Sequence, residues 1–257
     1  MSEMTIAAQL FTLREYLQSP EDIADTLAKV KEMGYNAVQV SGVGPIEPEN
    51  LKEITDKEDL KICATHVSFG RMQNNLDSVI KQHKLWDCKY VGVGSMPGEY
   101  REGKAGIVKF AKEASEIARE LKKNDLQFIY HNHNFEFVKY DGKTGLQILF
   151  EESDPEVFDF EIDTYWVQAG GADPVKWIKK MDDRMKVVHF KDMVMDKERN
   201  QIMAEVGEGN LNWPAIIDAC QEIGVEWCAV EQDTCQRSPF ESLEISLNNL
   251  KDMGINS

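Results

Sequence analysis

The sequence lacks the features that mark membrane and secreted chains. No apolar run approaches the roughly 20 residues that a membrane helix needs. The segment MSEMTIAAQLF does not resemble a signal peptide, because no basic stretch precedes a long apolar one. The five cysteines are an odd number without CxxC spacing, which argues against a disulfide framework or a structural zinc site. We therefore predict a cytoplasmic protein.

Basic residues are also scarce. Lys and Arg number 29 against 45 Asp and Glu, which gives a formal net charge of −16. Binding to nucleic acids and to anionic membranes rests on clustered Lys and Arg. We therefore expect neither nucleic acid nor a membrane as a partner. A small molecule is the expected partner, and a homo-oligomer is compatible with the sequence.

Short β-rich segments alternate with longer helical patterns along the chain. The predicted strands are 5–11, 36–40, 60–68, 89–95, 126–133, 157–163, 185–192 and 225–233, with predicted helices near 20–33, 48–57, 74–86, 103–123, 144–152, 173–181, 212–223 and 240–252. This alternation implies a parallel sheet with helical crossovers. We predict a closed (β/α)8 TIM barrel that forms a single domain over residues 1–257. An open Rossmann-like sheet is the alternative, but no GxGxxG follows the first strand. The long segment 193–211 is expected to be a mobile lid or an edge loop.

Polar side chains gather where such a barrel places its chemistry, at the C-terminal ends of the strands. Of the five histidines, only His83 falls in a predicted helix, and the other four are at or just beyond a strand end: His66, His131, His133 and His189. Asp163 ends the sixth predicted strand, and Glu231 lies near the end of the eighth after a run of apolar residues. Taken singly, each of these residues has an ordinary structural explanation, such as a hydrogen bond to the backbone, a helix cap or a surface ion pair.

Asp163, His189 and Glu231 come from adjacent strands, so they are expected to meet. Clustered carboxylates repel one another unless a proton or cation offsets their charge. Mixed carboxylate and imidazole ligands suit Mn²⁺, Zn²⁺, Fe²⁺ or Co²⁺ better than Ca²⁺. The sequence therefore predicts one divalent metal at the mouth of the barrel.

The segment HNHNFEF (131–137) is the densest polar stretch of the chain. It is expected to supply a further metal ligand and an acid or base; a hydrogen-bonded loop is the alternative. Lys191 and Asp192 could bind a substrate hydroxyl or orient His189, or form a surface ion pair. Trp166 could stack on the apolar face of a sugar ring or pack in the core.

Several segments resemble the sugar phosphate isomerase/epimerase family of xylose isomerase-like barrels. They are AAQLFTLRE, MGYNAVQVSG, ATHVSFG, YHNHNFEF, EIDTYWVQAGGADPVKWI, RMKVVHFKD, VGEGNLNW and VEWCAVEQD. The resemblance implies one divalent metal held by Glu, Asp, His and Glu from strands five to eight. Asp163, His189 and Glu231 match the last three. The strand-five position is His131 here, so either His131 or the nearby Glu136 is the fourth ligand. Glu136 is favoured because it keeps the family's usual charge.

The same resemblance implies proton abstraction next to a carbonyl of a sugar or polyol. Glu231 is the expected base on one face, with His131 or His133 on the other. Gln9 and His66 are expected to bind substrate hydroxyls, together with Trp166 and Lys191. The first hypothesis is an isomerase or epimerase. The alternative is a lyase or dehydratase acting on a keto-inositol or 3-keto sugar, since the HxH form is similar to that of inosose dehydratases.

Two hypotheses from other classes complete the set. One is a nuclease similar to endonuclease IV, which the five histidines and the net charge of −16 disfavour. The other is a sugar-binding barrel without catalytic activity.

Overall fold

Eight parallel strands close into a barrel in the computed structural model, which describes residues 4–255. The strands are β1 (Thr5–Gln9), β2 (Ala37–Val40), β3 (Lys61–His66), β4 (Tyr90–Val93), β5 (Gln127–His131), β6 (Phe158–Asp163), β7 (Val187–Phe190) and β8 (Trp227–Val230). Each strand pairs with the next one along the chain, and β8 pairs with β1. The predicted (β/α)8 barrel is confirmed.

Helices follow the strands and surround the barrel. They are α1 (Pro20–Glu32), α2 (Pro48–Lys57), α3 (Phe69–Asn74), α4 (Leu76–Leu85), α5 (Gly103–Lys122), α6 (Gly145–Glu152), α7 (Thr164–Ala169), α8 (Pro174–Met181), α9 (Trp213–Ile223) and α10 (Pro239–Asp252). The short helices α3 and α7 were not predicted. Among the described residues, no helix has the length and apolar character needed to span a bilayer.

The first strand is shorter than the predicted segment 5–11. It ends at Gln9, and a 3-10 helix runs over Leu10–Tyr16. The Gln9 side chain caps this turn, because its Oε1 accepts a hydrogen bond from the Phe11 backbone N–H at 2.9 Å. The apolar pattern continues past the strand because Leu10, the first residue of this turn, is also fully buried.

Strand β6 shows how alternation divides the core. Phe158, Phe160 and Ile162 belong to the large core between strands and helices. The side chains between them face the other side of the sheet, the barrel interior. They are all carboxylates: Asp159, Glu161 and Asp163. The strand thus carries a column of three acidic groups, and only the last of them lies at the mouth.

Asp159, the first carboxylate of this column, should limit stability at neutral pH. Burial raises its pKa to about 6, so the native state holds the proton more tightly than the unfolded chain. Stability is therefore lost as the pH rises from about 4 to about 6. We expect Asp159→Asn to raise the free energy of unfolding by about 1–3 kcal/mol at pH 8 and to leave it unchanged at pH 4. Urea unfolding at both pH values measures this, and an equal effect at both would contradict it.

The segment after β7 is an ordered structure anchored by one side chain. Asp192–Met195 pairs antiparallel with Gln201–Ala204 to form a β-hairpin. The carboxylate of Asp192 is fully buried and accepts five hydrogen bonds, from the backbone N–H groups of Met193, Gly207, Gly209 and Leu211 and the indole N–H of Trp213. These bonds favour an edge loop over a mobile lid. They also correct the prediction that Asp192 binds substrate or orients His189, because both its oxygens are used here.

Candidate metal centre and active site

Four side chains from consecutive strands meet at the C-terminal mouth of the barrel. They are His131, Asp163, His189 and Glu231, at the ends of β5 to β8. All four are buried, and one potential ligand atom of each lies within 4.8 Å of those of the others. Asp163, His189 and Glu231 are the residues whose meeting the sequence predicts. The fourth member, His131, is one of the two alternatives for strand five.

The two histidines of this group have the hydrogen bonds expected of metal ligands. His131 Nδ1 lies 3.0 Å from the Gly94 carbonyl oxygen and can only donate there, which leaves the Nε2 lone pair facing Asp163 Oδ2 at 3.3 Å. His189 Nε2 lies 2.8 Å from Gln39 Oε1, while Nδ1 faces Glu231 Oε2 at 3.1 Å. Metal-binding histidines typically donate their second N–H to such a partner, which fixes the tautomer.

Two imidazole nitrogens and two carboxylates therefore converge at one point of the mouth. This donor set fits Mn²⁺, Fe²⁺, Co²⁺ or Zn²⁺.

Glu136, the favoured strand-five ligand from the sequence, is not brought into this group. Its Oε1 accepts the Tyr130 hydroxyl at 2.6 Å, and its Oε2 accepts the His133 backbone N–H at 2.9 Å. Burial raises the pKa of Glu136 to about 7. Both oxygens are thus used to hold the turn after β5, and His131 is the residue of the two alternatives that lies in the group.

Glu161 is a central residue that the sequence analysis did not select. Its carboxylate accepts from Gln39 Nε2 at 2.8 Å and lies 2.6 Å from His66 Nε2 and 3.3 Å from His189 Nε2. Burial alone would raise its pKa, but His189 and His66 outweigh burial and lower it. The signal was available, because alternation along β6 places Glu161 on the same face as Asp163.

Lys191 lies among carboxylates rather than at the rim. Its Nζ is 2.7 Å from Glu231 Oε2, 3.0 Å from Asp163 Oδ2 and 2.9 Å from Asp233 Oδ2. Burial would lower its pKa, but the three carboxylates outweigh burial and raise it, so Lys191 stays an ammonium. Glu161 and Glu231 also outweigh burial at His189 and raise the pKa of its imidazole to about 10. These two cations against the three carboxylates and Glu161 still leave net negative charge, which a divalent cation would offset.

A cavity of about 240 Å³ opens over this cluster at the mouth of the barrel. It is lined by Phe11, Ser41, His66, Gly94, Ser95, His131, His133, Trp166, Lys191, Glu231 and Asp233. The predicted site residues His66, His131, His133, Trp166, Lys191 and Glu231 all line it. Gln9 is fully buried and does not line it. Asp233 was not predicted, although it follows Glu231 by two residues.

Three buried polar atoms make no hydrogen bond to the described part of the chain: Gln9 Nε2, His133 Nδ1 and Trp166 Nε1. His133 and Trp166 line the cavity, whereas Gln9 does not. Buried polar groups are nearly always paired, so such atoms point to partners supplied by water or a ligand. Burial lowers the pKa of His133 to about 3, so its imidazole is neutral near pH 7. The Trp166 ring lies 5.3 Å from the His133 ring and forms a wall of the cavity rather than part of the core.

Two glycines on the β4 side make room for His66. A Cβ atom on Gly94 would lie 2.8 Å from His66 Nδ1, and one on Gly92 would lie 2.9 Å from His66 Cδ2. Both distances are far below ordinary carbon contacts. The GVGS motif (92–95) therefore sets the position of the imidazole that bonds Glu161 and Ser41.

Substituting Gly94 should consequently impair the site more than the fold. We expect Gly94→Ala to displace the His66 ring and lower kcat/KM by about 10- to 100-fold, because misplacing a group by about 1 Å carries such a cost. Gly98→Ala is the matched control, since a Cβ there meets nothing within 4 Å. Turnover and the histidine NMR signals measure the effect. Equal activity of the two variants would show that His66 needs no such space.

Comparisons with known proteins agree with this fold. A family model described as "Xylose isomerase-like TIM barrel" matches residues 27–253. The inosose dehydratase of Lacticaseibacillus casei is 23% identical over 252 residues, covering 81% of this chain and 82% of that protein. A sugar phosphate isomerase/epimerase from Parabacteroides distasonis superposes with a TM-score of 0.80 at 22% identity, covering 99% of this chain and 96% of that one. A xylose isomerase-like TIM barrel protein from Mycobacterium smegmatis in complex with magnesium gives 0.73 at 13% identity, with 94% of each chain covered.

Proposed function

The chain belongs to the xylose isomerase-like TIM barrel family, and from that premise we propose that it is a divalent-metal-dependent dehydratase of a keto-polyol or keto-sugar. The reaction would remove a proton next to the carbonyl and expel the β-hydroxyl group as water. The observation that carries this choice is His131 at the strand-five position, where the family's epimerases have a second carboxylate.

The metal would be held by His131, Asp163, His189 and Glu231, whose ligand atoms lie together at the mouth. When bound, a divalent ion supplies a Lewis acid that polarises the substrate's carbonyl oxygen. His131 is then a ligand rather than a base, because its Nδ1 donates to Gly94 and its Nε2 faces Asp163. Glu136, the carboxylate that follows this strand, is held by Tyr130 and His133, which supports a mechanism without a second carboxylate base on the strand-five side.

Asp233 and Lys191 are the groups proposed to handle protons and charge. Asp233 lines the cavity, and burial followed by repulsion from Glu231 raises its pKa, which suits a group that must accept a proton. Lys191 donates to Asp233 at 2.9 Å and keeps positive charge beside the developing oxyanion. Glu231, the base expected from the sequence, also contacts Lys191 and remains the second candidate for proton removal.

The remaining walls are proposed to orient the substrate. Neutral His133 can accept or donate one hydrogen bond at its free Nδ1, and Trp166 can donate from Nε1. His66 already contacts Ser41 at 3.3 Å and Glu161 at 2.6 Å through its two ring nitrogens, so it would bind a substrate hydroxyl only in exchange for the longer contact with Ser41. A small polyhydroxylated molecule fits these separate polar contacts around one aromatic wall.

The isomerase or epimerase hypothesis remains the second candidate, favoured by the fold shared with the sugar phosphate isomerase/epimerase structure. Both reactions begin with removal of the same kind of proton, and they differ in whether a hydroxyl leaves. The difference in mass between substrate and product therefore separates them.

Incubation with Mn²⁺ in D₂O tests the proposal directly. The panel should contain keto-inositols, 3-keto sugars and unmodified ketohexoses, analysed by NMR and mass spectrometry. Loss of water from a keto-polyol or keto-sugar supports the dehydratase. Deuterium incorporation without loss of water would overturn it in favour of an isomerase or epimerase. No exchange and no bound metal would leave only the non-catalytic sugar-binding barrel.

A further inference from the structure

A second cavity lies beside the candidate active site, at the ends of β2 and β3. Its volume is about 190 Å³, which is room for about six water molecules. Its walls come from the loop after β2, the end of β3 and the helices α2, α3 and α4, of which α3 carries Arg71. Ser41 and His66 line both this cavity and the catalytic one, so the two share a wall at the mouth of the barrel.

Arg71 is the charged side chain of this second cavity. One guanidinium nitrogen, Nη2, donates to Gln82 Oε1 at 2.8 Å and to Ser78 Oγ at 3.1 Å, and both partners are neutral. Within residues 4–255 no carboxylate pairs with it, although Arg119 pairs with Asp154 and Arg237 with Glu205. An arginine held by neutral partners, in a chain of net charge −16, keeps its positive charge available for a ligand.

The topology places this arginine opposite the candidate metal ligands. Those ligands belong to β5, β6, β7 and β8, which form one half of the closed barrel. The second cavity adjoins β2 and β3, in the other half. For the far end of a molecule bound at the metal ligands to reach Arg71, it would have to pass Ser41 and His66, the two residues that line both cavities.

We propose that the second cavity binds an anionic oxygen group, a phosphate or a carboxylate, through Arg71. Arginine pairs with such groups by two parallel N–H bonds, and its remaining nitrogens are available for that geometry. The assignment of this anion to the far end of the substrate rests on the proposed function, whereas the binding of the anion does not. The enzyme would then act on a keto compound with an acidic group remote from its reacting carbons.

Calorimetric titration of the metal-free protein with inorganic phosphate, and separately with malonate, tests the site. Binding of either is expected to weaken about tenfold or more in Arg71→Gln. Gln82→Glu should weaken it equally, since a carboxylate at that position would pair with Arg71 while the arginine itself remains. The second variant keeps the test valid if Arg71→Gln folds poorly. Binding of inorganic phosphate identifies the anionic group as a phosphate, and binding of malonate identifies it as a carboxylate.

Two controls match the changes in charge. Arg119→Gln removes an arginine from a surface ion pair, and Asn248→Asp adds an acidic group at an exposed position on α10. Both should bind the anion within twofold of wild type. The proposal would be overturned if neither anion bound, or if the Arg71→Gln and Gln82→Glu variants bound the anion as tightly as wild type.

Asp163→Asn separates this inference from the proposed function. It should bind phosphate or malonate like wild type, because Asp163 lies in the other half of the barrel. Loss of anion binding in this variant would place the anion at the candidate metal ligands and overturn the site. Intact Arg71-dependent binding without metal-dependent turnover of any substrate would instead contradict only the proposed function.

Discussion

Replacement of Asp163 by asparagine is expected to lower kcat by about 1000-fold or more and to weaken Mn²⁺ binding by about 100-fold. The variant keeps the shape of the side chain and its helix cap, because Asn Oδ1 can still accept the Trp166 backbone N–H that Asp163 accepts at 2.8 Å. It removes one of two carboxylate charges from the predicted ligands. Calorimetric Mn²⁺ titration and steady-state kinetics measure the two effects.

Asp159→Asn is the matched control for this experiment. The substitution is chemically identical, lies on the same strand and faces the same barrel interior, but it is four residues away from the mouth. Metal affinity and turnover should stay near wild type, while stability at pH 8 increases. Parallel losses in both variants would mean that the charge of the barrel interior, rather than direct ligation by Asp163, governs metal binding.

Replacement of Asp192 by alanine is expected to lower the free energy of unfolding by about 3–5 kcal/mol, or to prevent folding. Five hydrogen-bond donors around a fully buried carboxylate would lose their acceptor. Asparagine should also be destabilising, because its NH₂ group would face N–H donors. Urea unfolding measures the loss, and hydrogen exchange should show faster opening of residues 192–211.

Asp196→Ala serves as the control in the same hairpin. Asp196 is near the turn and bonds only nearby residues of that turn, including Asn200. Its substitution should cost about 0.5 kcal/mol or less. A loss below about 1 kcal/mol for Asp192→Ala would show that the hairpin is held chiefly by its apolar contacts.

The fold and much of the candidate site could be predicted because their signals are local. Each βα unit is marked by a short apolar strand and a capped helix, and Ser19 does accept the Asp22 N–H at the start of α1. Asp163, His189 and Glu231 end or follow apolar strands, and barrel geometry brings the ends of adjacent strands together. The sequence therefore sufficed to place these three residues beside one another.

Other parts of the site depend on contacts between distant residues. Glu136 is kept out of the group of candidate metal ligands because its carboxylate accepts a hydrogen bond from the Tyr130 hydroxyl. No periodicity in the sequence reveals that hydrogen bond. Most of the N–H groups that donate hydrogen bonds to Asp192 belong to residues beyond the hairpin, between Gly207 and Trp213. The glycines of GVGS are required because atoms of β3, the His66 ring and the Thr65 carbonyl oxygen, occupy the space that a Cβ atom would need. Side-chain packing across the sheet decides each case.

Gln39 connects the two halves of the barrel at the mouth. It extends from β2 and donates to Glu161 on β6, while its oxygen accepts from His189 on β7. Recombination between relatives of this chain could exchange the half that carries the Arg71 cavity without touching the four candidate metal ligands. A viable chimera would still have to inherit a glutamine at this place, since without it His189, a candidate ligand, loses the hydrogen bond that fixes its tautomer. Shuffled libraries should therefore retain Gln39 even where the surrounding loops diverge.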